Sequence, residues 1–310
     1  VPKLLIIGDV GLDLVLGPVD AMPAIGTEAL VDRAEIRSGF SAANSALAAR
    51  HLGQACQLVG AIGDDDLGRV LVERLAGIDA RLFVTPGHAT TLTVALVRGD
   101  GERSFLTTRG HLEAVGWDKI IARVDPAGDG DIALLTGFFL LPTMRAAHGE
   151  YLRKLRALGY RIAVDTGWPP EGWTPEVRAE VTGWLPLCDL ILLNEIEVLG
   201  LGQDQRVEVS LNHIASCLAP GGVAVAKLGA QGAAALTGGE IFRGSAPAVS
   251  VFDSVGAGDS FNAAFLAASQ NGLPLEAALT AGCAGASTII ARFPRSDIAP
   301  GSLANLVAAR

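Results

Sequence analysis

The sequence predicts an α/β fold in which a doubly wound, mostly parallel central sheet is flanked by helices and carries a small β-sheet lid. Three observations lead there. Short apolar runs alternate with amphipathic or Ala-rich segments along most of the 310 residues, the pattern of parallel strands buried between two helical layers. Half of the residues are hydrophobic and 18% are charged, against about 25% charged in an average soluble domain, which supplies a large core and excludes a disordered chain. Glycine occupies 38 positions, well above the roughly 7% norm, so many backbone sites require positive φ or close approach to something else.

Taken in order, the apolar run 4–7 is a buried strand with neither the charged n-region nor the small-residue cleavage site of a secretory leader, which predicts a cytoplasmic protein. Strand-like pieces at 11–16 and 28–37 sit around Pro and Gly turns. The segments 41–52, 67–75, 143–158, 175–185 and 207–218 read as helices, and 56–62, 132–136, 161–165, 190–193 and 223–227 as strands. Residues 92–97 and 103–107 flank Gly99-Asp100-Gly101-Glu102, whose turn chemistry predicts a hairpin. With 11–37, the stretch 91–108 then forms a discontinuous small sheet suited to a lid over an active site. Residues 1–310 read as one domain, because no repeat, low-complexity linker or charge run marks a second. Cys56, Cys188, Cys217 and Cys283 are far apart with no CxxC pair, the pattern of free buried thiols, and the His residues show no metal spacing. A net charge of −9 argues against nucleic acid or an anionic membrane as partner, and no apolar run approaches the roughly 18–20 residues of a bilayer span.

The strongest chemical signal is Asp253-Ser254-Val255-Gly256-Ala257-Gly258-Asp259-Ser260-Phe261, which runs into an Ala-rich helical stretch. Small residues at 256–258 permit a tight turn whose N–H groups converge at a helix N-terminus, where the macrodipole favours an anion such as a phosphoryl group. Asp259 in the first turn adds a negative charge there. That is sensible if its carboxylate takes a proton from a hydroxyl attacking the phosphoryl group; otherwise it is an N-cap after a Gly turn. No GxxxxGK[ST] loop occurs, and Phe261 occupies the place of a third dinucleotide-binding glycine, which argues against a nicotinamide cofactor.

The run 253–261 resembles the C-terminal signature of the ribokinase (PfkB) carbohydrate kinase family, with Ser254 where Thr is usual. Ser38-Gly39-Phe40-Ser41-Ala42-Ala43-Asn44-Ser45-Ala46 is similar to the family's Gly-rich substrate signature, and Val59 to Gly68 to its following strand, loop and helix. Asn194-Glu195-Ile196-Glu197 resembles its NxxE motif, and Lys227-Leu228-Gly229-Ala230-Gln231-Gly232 its nucleotide-binding strand and loop. The resemblance implies an ATP-dependent phosphotransferase acting on a hydroxyl, with Asp259 as general base and Gly256, Ala257 and Gly258 as the backbone anion hole. It further implies that Asn194 and Glu197 organise Mg²⁺ and the phosphates through water; without the resemblance the pair reads as a capping Asn and a solvated Glu. Gly229 and Gly232 would leave room for adenosine, and Lys227 is either a phosphate contact or a solvated strand end.

On the acceptor side, Asp13 lies just after the first strand, where open α/β sheets bind ligands, and its carboxylate suits a vicinal diol. Asn44 opens the next helix and offers donor and acceptor, while Gly39 lets the backbone approach a substrate. Arg109 is either an acceptor contact, which would favour an acidic sugar or sugar phosphate, or a surface residue. Few aromatics stand near the lid, so a neutral or acidic sugar is the first reading and a nucleoside the second. Many family members bind K⁺ or Na⁺ through Asp253, the carbonyl of the residue matching Val255, and a later loop with a Gly-Ala pair. Here Pro294 and Arg295 stand in that loop, which leaves the cation open and offers Arg295 as a substitute charge. A non-catalytic ligand sensor is the alternative to an enzyme, and pairing of lid edges predicts a homodimer.

Overall fold

The computed structural model describes residues 2–99, 103–292 and 298–308. The hairpin turn at 100–102 and the substitutions Pro294 and Arg295 fall outside them. The strands are β1 (Leu4–Gly8), β2 (Gly11–Gly17), β3 (Arg33–Gly39), β4 (Cys56–Gly63), β5 (Asp79–Thr85), β6 (Leu92–Val97), β7 (Arg103–Thr107), β8 (Ile132–Thr136), β9 (Arg161–Asp165), β10 (Leu190–Asn194), β11 (Val223–Lys227), β12 (Ala233–Thr237) and β13 (Glu240–Gly244). The helices are α1 (Ser41–His51), α2 (Asp66–Arg74), α3 (Trp117–Ile121), α4 (Pro142–Arg145), α5 (His148–Ala157), α6 (Pro175–Trp184), α7 (Glu195–Gly202), α8 (Val207–Cys217), α9 (Ala257–Gln270) and α10 (Leu275–Ile290).

The central sheet has the order β13-β12-β11-β10-β9-β8-β1-β4-β5, parallel from β5 to β11 with β12 and β13 antiparallel at one edge. Its strands are apolar on both faces because helices cover both. In β1, Leu5 and Ile7 enter one core with Leu152 of α5, Val181 of α6 and Leu211 of α8, while Leu4 and Ile6 enter a second core with Ala43 of α1, Phe265 of α9 and Leu279 of α10. The chain leaves β1 toward β4 on one side and later returns to β8 on the other. The carboxyl ends of β1 and β8 therefore flank the topological switch point, the expected ligand crevice of such a sheet.

The second sheet has the order β3-β2-β6-β7. Strand alternation divides its faces. Asp13 pairs across with Arg37 and Thr93, and Thr93 with Thr107, on the face turned toward the central sheet; Leu14 pairs with Ile36 and Val94, and Val94 with Leu106, on the opposite face.

The parallel core strands match their expected ranges to within one residue. The segment 143–158 is two helices instead of one, broken at Ala146 and Ala147. The break turns α5 so that His148 packs 4.5 Å from both the Phe138 and the Trp184 rings, and Tyr151 stacks on Trp117. Strand β5, the β12–β13 hairpin and helix α10 had no counterpart in the sequence reading. The hairpin turns at Gly238 and Gly239, both at positive φ, the two-residue turn that suits antiparallel strands. The four cysteines are free, with Cys188 and Cys283 buried and Cys56 and Cys217 half-buried. Among the described residues, no helix is long and apolar enough to cross a membrane.

Helix α9 carries Asp259 and is anchored by Phe265, which is fully buried and stacks on Phe261 at 5.9 Å. Phe265→Ala is expected to cost about 3–5 kcal/mol, read as a lower urea midpoint; an unchanged midpoint would show that α9 does not depend on this contact.

Candidate active site

A cleft of about 390 Å³ opens at the switch point, large enough for a small molecule. Asp9, Asn44, Gly137 and Asp259 line it from the central sheet side, and Asp13, Thr93, Phe105 and Thr107 from the small sheet. Asp9 follows the carboxyl end of β1 and satisfies the same strand-end rule as Asp13, a signal in the sequence that marks it as a further site residue. Its carboxylate accepts a hydrogen bond from the Ala42 N–H at 3.2 Å. Burial, reinforced by the nearby Asp259 and Asp13, pushes its carboxyl up to about 8, so it is protonated near neutral pH and can donate to a ligand oxygen.

Two glycines exist to admit these carboxylates. A Cβ on Gly39 would stand 2.2 Å from the Asp13 carboxyl carbon, and one on Gly137, at φ 71°, would stand 2.0 Å from that of Asp9. Gly39 thus makes room for Asp13, and its expected service to a substrate is indirect. Phe40, which caps α1, adopts φ 69°, a conformation unusual for a bulky residue and one that clusters at functional sites. Its ring lies against Gly11 and lines the cleft.

Gly256, also at positive φ, turns the chain into α9, whose N-terminus has no side-chain cap. Ala257 N–H donates to the Ser254 carbonyl at 3.3 Å. The first-turn amides of Gly258 and Asp259 precede the first intrahelical donor, the Ser260 N–H, and Gly256 and Asp259 line the cleft, so this helix start can meet an anion there. The amide of Asn44 donates to Asp259 at 3.1 Å, which joins two residues singled out from separate motifs. Burial raises the Asp259 carboxyl to about 7, the Asp165 charge adds to the rise, and the Asn44 hydrogen bond and Lys227 oppose it.

Lys227 is not a solvated strand end. Its side chain is 12% exposed, donates to Asp165 at 2.7 Å and Asn262 at 3.3 Å, and lies against Gly258, where a Cβ would stand 3.4 Å from its ammonium. Burial works against its charge, but Asp165, Glu197 and Asp259 outweigh that and hold it above the ordinary lysine range. Asn262 lies three residues after Asp259 and so shares its helix face, a signal present in the sequence.

Asn194 and Glu197 form a capping box. The Asn194 side chain accepts from the Glu197 N–H at 2.9 Å, and Glu197 accepts from the Asn194 N–H at 2.8 Å. The capping Asn of the alternative reading is therefore present, with the Asn194 side-chain oxygen engaged at the helix start. Glu197 is buried instead of solvated, and burial together with Asp165 raises its carboxyl. Gly229 begins a short turn after β11 and faces open space, whereas a Cβ on Gly232 would meet the Gly244 carbonyl at 2.1 Å. Gly232 therefore serves the β12–β13 hairpin and does not make space for a nucleotide.

Two further expectations are corrected. Arg109 borders a neighbouring depression, projects into solvent and pairs with Glu113 at 2.9 Å, so it does not face the cleft. Asp253 does not present an open carboxylate to a monovalent cation. Arg37 donates to both its oxygens, at 3.0 and 3.2 Å, and the Val255 N–H donates to Oδ1 at 2.8 Å. Among the described residues, no group of three or more His, Cys, Asp or Glu is placed to hold a metal.

A family model described as pfkB family carbohydrate kinase matches residues 2–297. A 5-dehydro-2-deoxygluconokinase from Lacticaseibacillus casei is 30% identical over 280 residues, 84% of this chain and 83% of that protein. The Arabidopsis thaliana ribokinase complexed with ribose and ATP superposes with a TM-score of 0.77 at 21% identity, covering 100% of this chain and 99% of that one. An Escherichia coli structure described as a ribokinase II in complex with ATP and Mg²⁺ gives a TM-score of 0.81 at 21% identity over 99% of both chains.

A carboxyl raised to about 7 in the fold, against about 3.9 in the unfolded chain, binds its proton more tightly when folded. Its contribution to stability is therefore lost as pH rises through that window. Asp259→Asn removes the ionisation, so its melting temperature should exceed that of the wild type at pH 8, with the gap narrowing toward pH 5; equal melting at both pH values would contradict the raised carboxyl.

Proposed function

The chain belongs to the pfkB family of carbohydrate kinases, and on that premise we propose that it transfers the γ-phosphoryl group of ATP to a hydroxyl of a neutral sugar, with Asp259 as general base. The observation that carries this reading is the convergence of Asp259, Asn44 and the uncapped start of α9 at one end of a cleft, with the Lys227 ammonium behind them against Gly258. An acceptor hydroxyl at Asp259 gives its proton to the carboxylate as the new O–P bond forms, and the bond from the γ-phosphorus to the bridging oxygen breaks to release ADP. A base with its carboxyl near 7 is matched to that work at neutral pH. The first-turn amides of α9 and the Lys227 ammonium balance charge on the transferring group, where such transfer needs most help.

Mg²⁺ fits as an ion that arrives on the nucleotide phosphates, since it retains several waters and needs few protein ligands. Glu197 and Asp165, the carboxylates around Lys227, are the residues that would meet its water shell. It would supply charge neutralisation on the β- and γ-oxygens. ATP use and four free cysteines favour the cytoplasm as the compartment.

The acceptor reading rests on the wall chemistry. Three carboxyl groups, Asp9, Asp13 and Asp259, face the cleft, and no Lys or Arg lines it among the described residues. Carboxyl groups suit hydroxyls, and the charge on Asp13 and on ionised Asp259 repels a sugar acid, even though the L. casei relative is named for one. Phe40, Phe105, Phe139 and Trp168 add apolar faces for the C–H side of a sugar ring. A coupled ADP-release screen over neutral sugars, sugar acids, sugar phosphates and nucleosides tests the reading. Turnover is expected with neutral sugars, and Asp259→Asn should lower kcat by about 10²–10⁴. A best acceptor bearing a carboxylate or phosphate would refute the neutral-sugar reading, and saturable binding with no turnover would favour a ligand sensor.

For the oligomeric state, we propose a homodimer through the small sheet. Support comes from its outward face more than from its edges: Ile36, Leu14, Val94 and Leu106 form one apolar row, with Ile36 and Leu106 exposed. Light scattering should give twice the chain mass for the wild type and the chain mass for Val94→Asp; a monomeric wild type would remove the proposal.

A further inference from the structure

The segment leading into the Gly256 turn is held, residue by residue, by arginines of the small sheet. Arg33 of β3 lies over the Phe252 ring at 4.3 Å, Arg37 of β3 grips the Asp253 carboxylate with two hydrogen bonds, and Arg103 of β7 donates to the Ser254 hydroxyl. Residues 33 and 37 are an even number apart on one strand, and so present the same face. The Arg37–Asp253 pair is buried, with the two side chains 9% and 4% exposed. A buried bidentate pair of this kind fixes both distance and orientation. Glu35 lies 3.5 Å from Arg37 on the same face and steadies the guanidinium. Asp253 in turn accepts from the Val255 N–H, so the guanidinium is one hydrogen bond removed from the backbone that makes the Gly256 turn.

We propose that Arg37 replaces a monovalent cation in this protein: its fixed positive charge occupies Asp253 and positions the 255–258 turn, making phosphoryl transfer independent of K⁺ and Na⁺. A cation seated on Asp253 would share the carboxylate with a guanidinium already bonded to both oxygens, and the two like charges would repel. Arg37 is a positioning residue here, because it acts through Asp253 and lines no part of the sugar cleft. Asp13, opposite Arg37 across β2 and β3, faces the cleft, so the same strands that meet the acceptor also set the anion-binding turn.

The inference rests on reading 253–258 as the anion loop of a kinase, and its test separates the two. Wild-type melting is measured in potassium, sodium and choline chloride at matched ionic strength, which needs no turnover. In parallel, kcat and KM are measured in the same salts for wild type, Arg37→Lys and Arg37→Met with the best acceptor. The expected result is no shift in wild-type melting or kcat between the three salts. Arg37→Met should lose about 100-fold in kcat, the scale of a small misplacement of reacting groups, with KM for the acceptor nearly unchanged and Arg37→Lys intermediate. A rise in wild-type melting or kcat specific to potassium or sodium would overturn the proposal, as would Arg37→Met turning over at the wild-type rate in choline chloride. Failure to find any acceptor would count against the kinase reading, while the melting comparison would still decide whether a cation binds.

Discussion

The ammonium group of Lys227 is the charge on which the candidate site depends. It closes β11 among Asp165, Glu197 and Asp259, donates to Asp165 at 2.7 Å, and lies against the first turn of α9. A buried lysine loses stability through desolvation unless carboxylates surround it, and buried carboxylates need the same help in return. This mutual dependence leaves Asp259 neither a strong acid nor permanently protonated. It also answers the difficulty raised by a net charge of −9: the whole protein repels a nucleotide, so attraction has to be built locally from Lys227, the α9 N-terminus and the metal that the phosphates carry.

Around that charge the fold arranges close approaches that only particular residues allow. The carboxyl ends of β1 and β8 bring Asp9 against Gly137, and pairing of β2 with β3 brings Asp13 against Gly39. Either glycine given a methyl group would displace a carboxylate from the cleft. Burial then does the chemical tuning, since Asp9 is driven to hold its proton and Asp259 is brought to the middle of the neutral range. Two carboxyl groups with different protonation states in one cleft can serve as donor and acceptor to neighbouring hydroxyls, a division of labour set by environment alone.

Much of this is legible in the amino-acid sequence. Apolar runs located the central strands, and Asp259, Asn44 and the 256–258 turn were marked by motifs far apart in the chain and meet in space. What stayed hidden depended on register and on long-range contact. The Arg37–Asp253 pair spans 216 positions, and nothing local to either residue announces it. Gly232 carried the look of a ligand-facing glycine, but the Gly244 carbonyl occupies that space. Asn194 and Glu197 could be read as metal-organising residues or as a helix cap, because the same residue types at the same spacing satisfy both roles, and only the fold shows the cap closed with Glu197 buried beside Lys227. Asp9 obeys the strand-end rule as well as Asp13 does, and only the fold shows that both reach the cleft.

The central claim is that the Asp259 carboxyl is tuned to near neutrality by burial and by its carboxylate neighbours, against the pull of Lys227. Enzyme labelled with ¹³C at aspartate Cγ, with the Asp259 resonance assigned by its loss in Asp259→Asn, reports this directly. The account predicts a titration midpoint near 7 that moves higher in Lys227→Met. A midpoint near the ordinary carboxyl value of about 4, or one indifferent to Lys227→Met, would contradict it.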